Sequence, residues 1–140
     1  MKIWMLIALM LLSGQANASN RTAVNMSLAE QLGTVAGLAY ACDAGKSLED
    51  YELISSRFLA NTAETDEKEQ QAYESYASSK LRAFKMHNEK PQMSCADILK
   101  RFKAMKIFKF VVYADGSIKT SEGKLLKPKR PVKMQKQKKK

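Results

Sequence analysis

Residues 27–45, SLAEQLGTVAGLAYACDAG, constrain the fold more than any other stretch of the chain. A serine followed three residues later by a glutamate is a capping box, so Ser27 and Glu30 predict the start of a helix. Gly45 stands where this helix would end, because glycine adopts the left-handed conformation that follows a helix without strain. Glu30 is the only charged side chain from Ser27 to Cys42, and a helix that is apolar all round is usually buried. The stretch therefore predicts a central helix enclosed by other elements.

This predicted helix carries two stripes of side chains, because successive residues are rotated by about 100°. Larger apolar residues and a cysteine form one stripe, which consists of Leu28, Leu32, Val35, Ala39 and Cys42. Small residues form the other stripe on nearly the opposite side, which consists of Ala29, Gly33, Gly37 and Ala41. The small stripe lets a second helix approach closely, and we expect it either to pack inside the chain or to form a dimer contact.

The N-terminus has the three parts of a secretory signal peptide. Lys2 supplies the basic start, residues 3–12 are apolar, and Ala-Asn-Ala at residues 16–18 is a small-residue cleavage site. The apolar run is much shorter than the about 20 residues that a membrane-spanning helix needs. We therefore expect residues 1–18 to be removed on export, which leaves residues 19–140.

Cys42 and Cys95 are the only cysteines, and 52 residues lie between them. In an oxidising compartment an isolated even pair usually forms a disulfide. A redox-active pair is usually C-x-x-C, and a metal site built on two cysteines needs further ligands, whereas His87 is the only histidine. We predict a structural disulfide, and we expect no metal and no cofactor.

The formal charge of +10 is concentrated at the C-terminus. Residues 124–140 contain nine basic and no acidic side chains, whereas basic and acidic side chains balance in residues 19–123. Prolines, many lysines and few apolar residues predict that residues 124–140 form a disordered tail. This distribution disfavours nucleic acid as a partner of the folded part and predicts attraction of the tail to an anionic membrane, to lipopolysaccharide or to an acidic protein. The candidate anion-binding residues are Lys124, Lys127, Lys129, Arg130, Lys133, Lys136, Lys138, Lys139 and Lys140.

Three further helices are predicted within residues 19–123. Capping patterns at Ser47 and Ser94 mark two helix starts, and the second of them opens a helix over residues 95–106. Residues 65–87 form a long helical segment between these two helices. We therefore expect a single domain in residues 19–123, with a mainly α fold that forms a compact bundle of about four helices.

The segment that follows residue 106 allows two interpretations. Residues 107–113 are β-branched and aromatic, and they precede Asp115-Gly116, a dipeptide typical of hairpin turns. A C-terminal β-hairpin that packs on a helix is therefore favoured. The alternative is that the preceding helix continues to Val112.

The helix predicted over residues 65–87 contains several ionisable side chains. Lys80 lies in its apolar arc, where we expect the stem to be buried and the amine to reach outwards. His87 lies at the end of that arc, and we interpret it as a capping or half-buried histidine rather than as a pH sensor. The acidic side chains of residues 64–74 are typical of a solvated helix face. The sequence contains no nucleophile motif and no phosphate-binding loop, so we do not expect an enzyme.

Two short motifs, GLAYAC at residues 37–42 and SCADIL at residues 94–99, follow the signal peptide and flank a helical middle. In this layout the chain resembles small two-cysteine periplasmic proteins of Gram-negative bacteria, in particular accessory proteins of the Dot/Icm type IVB secretion system of the EirA kind. The resemblance covers residues 29–102, leaves out the lysine-rich tail, and brings no catalytic residues with it. It implies a periplasmic helical protein that supports a secretion machine or host colonisation.

These observations favour a non-enzymatic periplasmic adaptor that binds an envelope protein through its helix surfaces and its tail. Two other functions stay open. Eight methionines, which make adaptable contact surfaces, are typical of a periplasmic chaperone or stress protein. The KPKRPVK run at residues 127–133 is typical of an exported effector that engages nucleic acid or a nuclear-import receptor.

Overall fold

The computed structural model of the protein describes residues 27–130, which form four α-helices, a 3-10 helix and three short strands. The elements in chain order are α1 (Leu28–Ala41), α2 (Lys46–Thr62), α3 (Asp66–Glu89), α4 (Cys95–Lys103), the 3-10 helix (Lys106–Lys109), β1 (Val111–Val112), β2 (Ile118–Lys119) and β3 (Leu125–Leu126). The strands form one antiparallel sheet in the order β1–β2–β3. The predicted mainly α fold with about four helices is confirmed. The predicted signal peptide and the last ten residues of the predicted tail lie outside the described residues.

The start of α1 agrees with the sequence analysis, but its end does not. The Ser27 hydroxyl accepts a hydrogen bond from the Glu30 backbone N–H at 3.2 Å, as in the predicted capping box. After the helix, Asp43 rather than Gly45 adopts the left-handed conformation that ends it, with φ of 57°. The Ala44 N–H then donates to the Ala39 carbonyl oxygen at 3.0 Å, which is the bond of a Schellman motif. Aspartate tolerates this conformation better than most residues, so the helix ends without a glycine.

Gly45 instead precedes α2, which changes the predicted start of that helix. It is the N-cap of α2, and its carbonyl oxygen accepts hydrogen bonds from the backbone N–H groups of Leu48 and Glu49. Ser47 is therefore the second residue of the helix and not its cap, and no side chain caps this end. The prediction that Ser47 starts the helix is wrong by two residues, because the backbone at Gly45 already turns the chain.

The small-residue stripe of α1 packs against the backbone of α3. A Cβ atom added to Gly33 would lie 2.3 Å from the Tyr76 carbonyl oxygen, and one added to Gly37 would lie 2.2 Å from the Lys80 carbonyl oxygen. Both distances are far shorter than carbon–oxygen contacts of about 3.3 Å or more, so only glycine permits this approach. Ala29 is also buried, and Ala41 is half-buried at the end of the stripe. The stripe is a helix-packing contact inside the chain.

Tyr51 on α2 is completely buried and links three other elements. Its hydroxyl donates to the Leu32 carbonyl oxygen of α1 at 2.9 Å. Its ring centroid lies 5.2 Å from that of Phe102 on α4 and 6.2 Å from that of Phe108 in the 3-10 helix. The burial predicted for α1 is confirmed along most of its length, and its buried residues are Ala29, Leu32, Gly33, Val35, Ala36, Gly37, Leu38 and Ala39.

The C-terminal segment forms a sheet and not a continuation of α4. This helix ends at Lys103, and the 3-10 helix occupies part of the segment that we predicted as the first strand. The hairpin itself is present, because β1 and β2 pair across the Asp115-Gly116 turn. A third strand, which the sequence analysis did not predict, places Leu126 opposite Ile118. We predicted disorder from residue 124 onwards, and this prediction is wrong for residues 124–130. The composition of this segment favours disorder, but backbone pairing with β2 orders it.

Candidate functional site

Helix α3 has two ends with different chemistry. It contains 24 residues, which at about 1.5 Å per residue is a length of about 36 Å. Its first turn contacts the C-terminal segment of the chain, and its last turn contacts the two cysteines. We call the first of these regions the clasp end and the second the disulfide end.

The disulfide end contains the predicted bond between Cys42 and Cys95, which is confirmed. Cys42 is the C-cap of α1 and Cys95 is the first residue of α4, and their Cα atoms are 5.2 Å apart. The Ser94 hydroxyl accepts from the Asp97 N–H at 3.2 Å, so the predicted cap of α4 holds Cys95 at the helix start. By the loop-closure relation, a bond across this separation stabilises the fold by about 4 kcal/mol.

His87 lies beside this disulfide, in the last turn of α3. Its Nε2 atom is 3.8 Å from Cys42 Sγ and 3.7 Å from Cys95 Sγ. These three donor atoms all lie within 4.8 Å of one another, which is close enough for one metal ion. The half-buried position predicted for His87 is correct, but the sequence analysis did not place it next to the cysteines. Nothing in the spacing of residues 42, 87 and 95 indicates it.

A groove of about 330 Å³ opens next to His87. Its walls come from α1, α3 and α4 and from the loop that precedes α4. They are mainly apolar and include Leu38, Ala83, Met86, Met93 and Ile98. Four of these side chains are buried, whereas Met86 is 52% exposed. Arg82, Glu89 and Lys90 also line the groove, so its polar lining contains two cations and one anion. The groove is suited to an apolar group that has a negative charge beside it.

The clasp end joins the C-terminal segment to α2 and α3. The Arg130 guanidinium pairs with both Asp66 and Glu69, in the first turn of α3. The Lys129 backbone N–H donates to the Asn61 carbonyl oxygen at 3.1 Å. The Lys129 amine lies 3.5 Å from a carboxylate oxygen of Glu64. Lys129 and Arg130 therefore bind carboxylates of the same chain, and their binding of an external anion stays a prediction. The acidic residues near α3 are mostly exposed, as predicted, but Glu69 is partly buried by its pair with Arg130.

Asn61 is the buried centre of this end. Its side-chain amide donates to the Gly116 carbonyl oxygen at 2.8 Å and to the Leu126 carbonyl oxygen at 3.0 Å. A single side chain at the end of α2 therefore fixes both the hairpin turn and β3. The sequence alone indicates only that Asn61 stands near the end of a helix.

The clasp end also shifts the pKa values of two ionisable side chains. Burial raises the pKa of Tyr73 from 10.0 to about 12, and its hydrogen bond to Glu69 adds to the rise. The Tyr73 hydroxyl donates to Glu69 at 2.9 Å, so the same carboxylate serves Tyr73 and Arg130. The pKa of Glu64 lies below its ordinary value, because Lys68 donates a hydrogen bond to it and Lys129 adds positive charge.

The remaining candidate residues lie outside both ends. Lys124 and Lys127 are exposed, as expected for anion-binding residues, whereas residues 131–140 lie outside the described part of the chain. Lys80 differs from its prediction, because its amine forms an ion pair of 2.6 Å with Glu52 on α2 and lies over the Tyr40 ring. Its stem is partly buried as expected, but its charge joins two helices.

Comparison of the chain with protein-family models, with curated proteins and with solved structures gave no match. Among residues 27–130, no helix is both long enough and apolar enough to cross a membrane. A functional hypothesis for this chain therefore depends on the geometry of the disulfide end and the clasp end.

Proposed function

We propose that this protein is an exported, non-enzymatic adaptor that binds an apolar segment of an envelope protein in the groove at the disulfide end. The observation that carries the proposal is the groove itself, whose walls beside His87 are mainly apolar and include the exposed Met86. Pockets that bind partners usually combine apolar walls with a few polar groups at the rim. The groove has this composition.

The lining of the groove indicates the chemistry of the partner. Met86 and Met93 have flexible, polarisable side chains that adjust to differently shaped apolar groups. Arg82 and Lys90 outnumber Glu89 at the rim, so a carboxylate next to the apolar side chain of the partner is favoured. The partner is therefore an apolar protein segment flanked by an acidic residue.

Packing around the groove keeps its walls in place. Ala83 faces the position where a Cβ atom on Gly37 would lie, at 2.8 Å, so α1 and α3 are in direct contact at the groove wall. The disulfide holds the end of α1 to the start of α4. A preformed site loses little conformational entropy on binding, which favours affinity for a short segment.

The cellular setting is part of this proposal. The predicted signal peptide supports export, and the disulfide is typical of an oxidising compartment such as the periplasm. The resemblance to EirA-type accessory proteins suggests a role in supporting a secretion system or host colonisation. The exposed Lys124 and Lys127, together with the lysines that follow them in the sequence, provide a second, electrostatic contact to an anionic surface or an acidic partner.

A photo-crosslinking experiment in living cells tests the proposal. A photoreactive amino acid replaces Met86 in the full-length chain, and the matched control carries it at Leu81 on the same helix. The two side chains are equally exposed, at 52% and 53%, but only Met86 lines the groove. We expect one discrete envelope protein to crosslink at Met86 and none at Leu81. This crosslink should be weakened by Arg82→Glu, which reverses the charge of an exposed side chain at the rim of the groove.

Other results would favour the two alternative functions or contradict the adaptor. Many crosslinked proteins at Met86, together with suppression of client aggregation, would indicate a chaperone. Recovery of the protein from host cytosol or nucleus would indicate an effector. Equal crosslinking from Met86 and Leu81, or crosslinking that Arg82→Glu does not change, would contradict binding in the groove.

A further inference from the structure

The disulfide has a third donor atom beside it, Nε2 of His87, at 3.8 Å from one sulfur and 3.7 Å from the other. We propose that reduction of the Cys42–Cys95 bond converts these three side chains into a binding site for Zn²⁺. The disulfide and the metal exclude each other, so the site is a redox-dependent one. The site shares His87 with the lining of the groove, but the proposal does not depend on the groove-binding function.

The geometry already fits such a site closely. Zinc binds cysteine sulfur at about 2.3 Å and histidine nitrogen at about 2.0–2.1 Å, so tetrahedral coordination places sulfur and nitrogen about 3.6 Å apart. The two distances between Nε2 of His87 and the sulfur atoms are close to that value. The one movement required is separation of the two sulfur atoms to about 3.8 Å, which two thiolates on one zinc ion adopt.

Each ligand is held by a different helix. Cys42 is the C-cap of α1, His87 is in the last turn of α3, and Cys95 is the first residue of α4. The close contact of Gly37 with α3 keeps α1 and α3 together independently of the disulfide. Ile98 of α4 belongs to one apolar cluster with Leu38 of α1 and Ala83 of α3, so this packing likewise keeps the start of α4 in place. The ligands therefore stay near one another when the sulfur–sulfur bond is broken.

The chemistry requires a dithiol reductant and a metal ion. The dithiol transfers two electrons to the sulfur–sulfur bond and becomes a disulfide itself, and its two protons pass to the sulfur atoms of Cys42 and Cys95. Zn²⁺ then displaces both thiol protons, which leave to solvent. Neutral His87 supplies the lone pair of Nε2. Three protein ligands leave one tetrahedral position for water, as in zinc sites with an open coordination position.

The direct test is a zinc titration of the mature chain without a histidine tag. The protein is reduced with a dithiol, the reductant is removed without oxygen, and Zn²⁺ is added in competition with a chromophoric chelator. We expect one Zn²⁺ per reduced chain and none per oxidised chain. His87→Gln should weaken binding on the order of 100-fold, whereas Lys85→Gln, an exposed neighbour on the same helix, should leave it unchanged. Equal binding by the oxidised chain, or by His87→Gln, would overturn the proposal.

Two further measurements distinguish a built site from two thiols in an unfolded chain. Thermal unfolding is followed by circular dichroism, and Zn²⁺ should raise the Tm of the reduced wild type but not that of reduced His87→Gln. Because His87 is the only histidine, the imidazole ¹⁵N spectrum of the folded, reduced protein reports on this one ring. A shift of its Nε2 resonance on addition of zinc is expected. An unmoved Nε2 resonance, or an equal Tm increase in both proteins, would overturn the proposal.

Discussion

The regions around the two ends of α3 are held together by different kinds of bond. At the disulfide end a covalent bond joins α1 to α4. At the clasp end the C-terminal segment is held by the ion pairs of Arg130 and by the hydrogen bonds of Asn61. A disulfide responds to redox conditions, whereas ion pairs respond to pH and salt. The bonds at the disulfide end and those at the clasp end are therefore expected to break under different conditions.

The two ends also differ in how much their bonds contribute to the free energy of unfolding. Closing a loop of this length with a disulfide contributes about 4 kcal/mol to the free energy of unfolding. The exposed pair of Lys129 with Glu64 contributes about 0–1 kcal/mol. The pair of Arg130 with Glu69 is partly buried, with side chains 21% and 23% exposed, and the hydrogen bonds of the buried Asn61 add to it. The disulfide end should therefore contribute more to the free energy of unfolding than the clasp end does. Three experiments, taken in order of decreasing expected effect, test this comparison.

Removing the disulfide should have the largest effect. The double substitution Cys42→Ser and Cys95→Ser is expected to lower the free energy of unfolding by about 2–5 kcal/mol, because the unfolded chain regains its conformational freedom. Urea unfolding followed by circular dichroism measures the change. The matched variant at the other end is Arg130→Gln, which should cost much less. An equal loss of stability in the two variants would show that the two ends do not differ as described.

Shortening the chain should have an intermediate effect that depends on where it is cut. Deletion of residues 124–140 removes β3 and the clasp and leaves the Asn61 amide with one partner fewer, so we expect a loss of about 1–3 kcal/mol. Deletion of residues 131–140 keeps both features and serves as the control. Comparing the urea midpoints of the two truncated chains measures the difference. Identical midpoints would mean that residues 124–130 contribute nothing to the fold.

The part of the alkaline pH dependence that comes from Tyr73 should be the smallest effect. Burial also raises the pKa values of Tyr51 and Tyr76, and these two side chains remain when Tyr73 is replaced. The pKa of Tyr73 is raised from 10.0 to about 12 in the folded chain, so its contribution to stability is complete below about pH 10 and is lost as the pH rises towards 12. Tyr73 is only partly buried, so we expect this contribution to be no more than about 1 kcal/mol. Tyr73→Phe removes the titrating group and should make the fall in the urea midpoint between about pH 10 and pH 12 smaller. An unchanged fall in the variant would show that Tyr73 does not contribute.

Short sequence patterns predicted which segments form helices better than they predicted where each helix begins and ends. The predicted capping residues Ser27 and Ser94 accept hydrogen bonds from the helices that they start, and so does Thr65, which was not predicted as a cap. The disulfide followed from the number of cysteines and the expected compartment. The predicted start of α2 was wrong because the glycine before it replaced a side-chain cap, and the predicted end of α4 was wrong because a 3-10 helix follows it. These errors reflect competition between alternative backbone hydrogen bonds that sequence spacing does not resolve.

The candidate site could be predicted only in part. The cysteines and the exposed lysines were identified, but the position of His87 beside the disulfide was not. Lys129 and Arg130 were predicted to bind an external anion, because their acidic partners are more than 60 residues away in the sequence. Such partners are found only when the chain folds back on itself.

The sequence by itself determined which segments become helices, where several of them start, which cysteines pair and which stripe of α1 contains only small residues. These properties depend on neighbours within a few positions along the chain, or on the count of one residue type. Only the tertiary structure decided that the small stripe packs on α3, that three donor atoms meet at the disulfide end, and that Arg130 holds the C-terminal segment to the first turn of α3. The physical reason is that each of these contacts joins distant parts of the chain, and its energy exists only after the helices between them have packed.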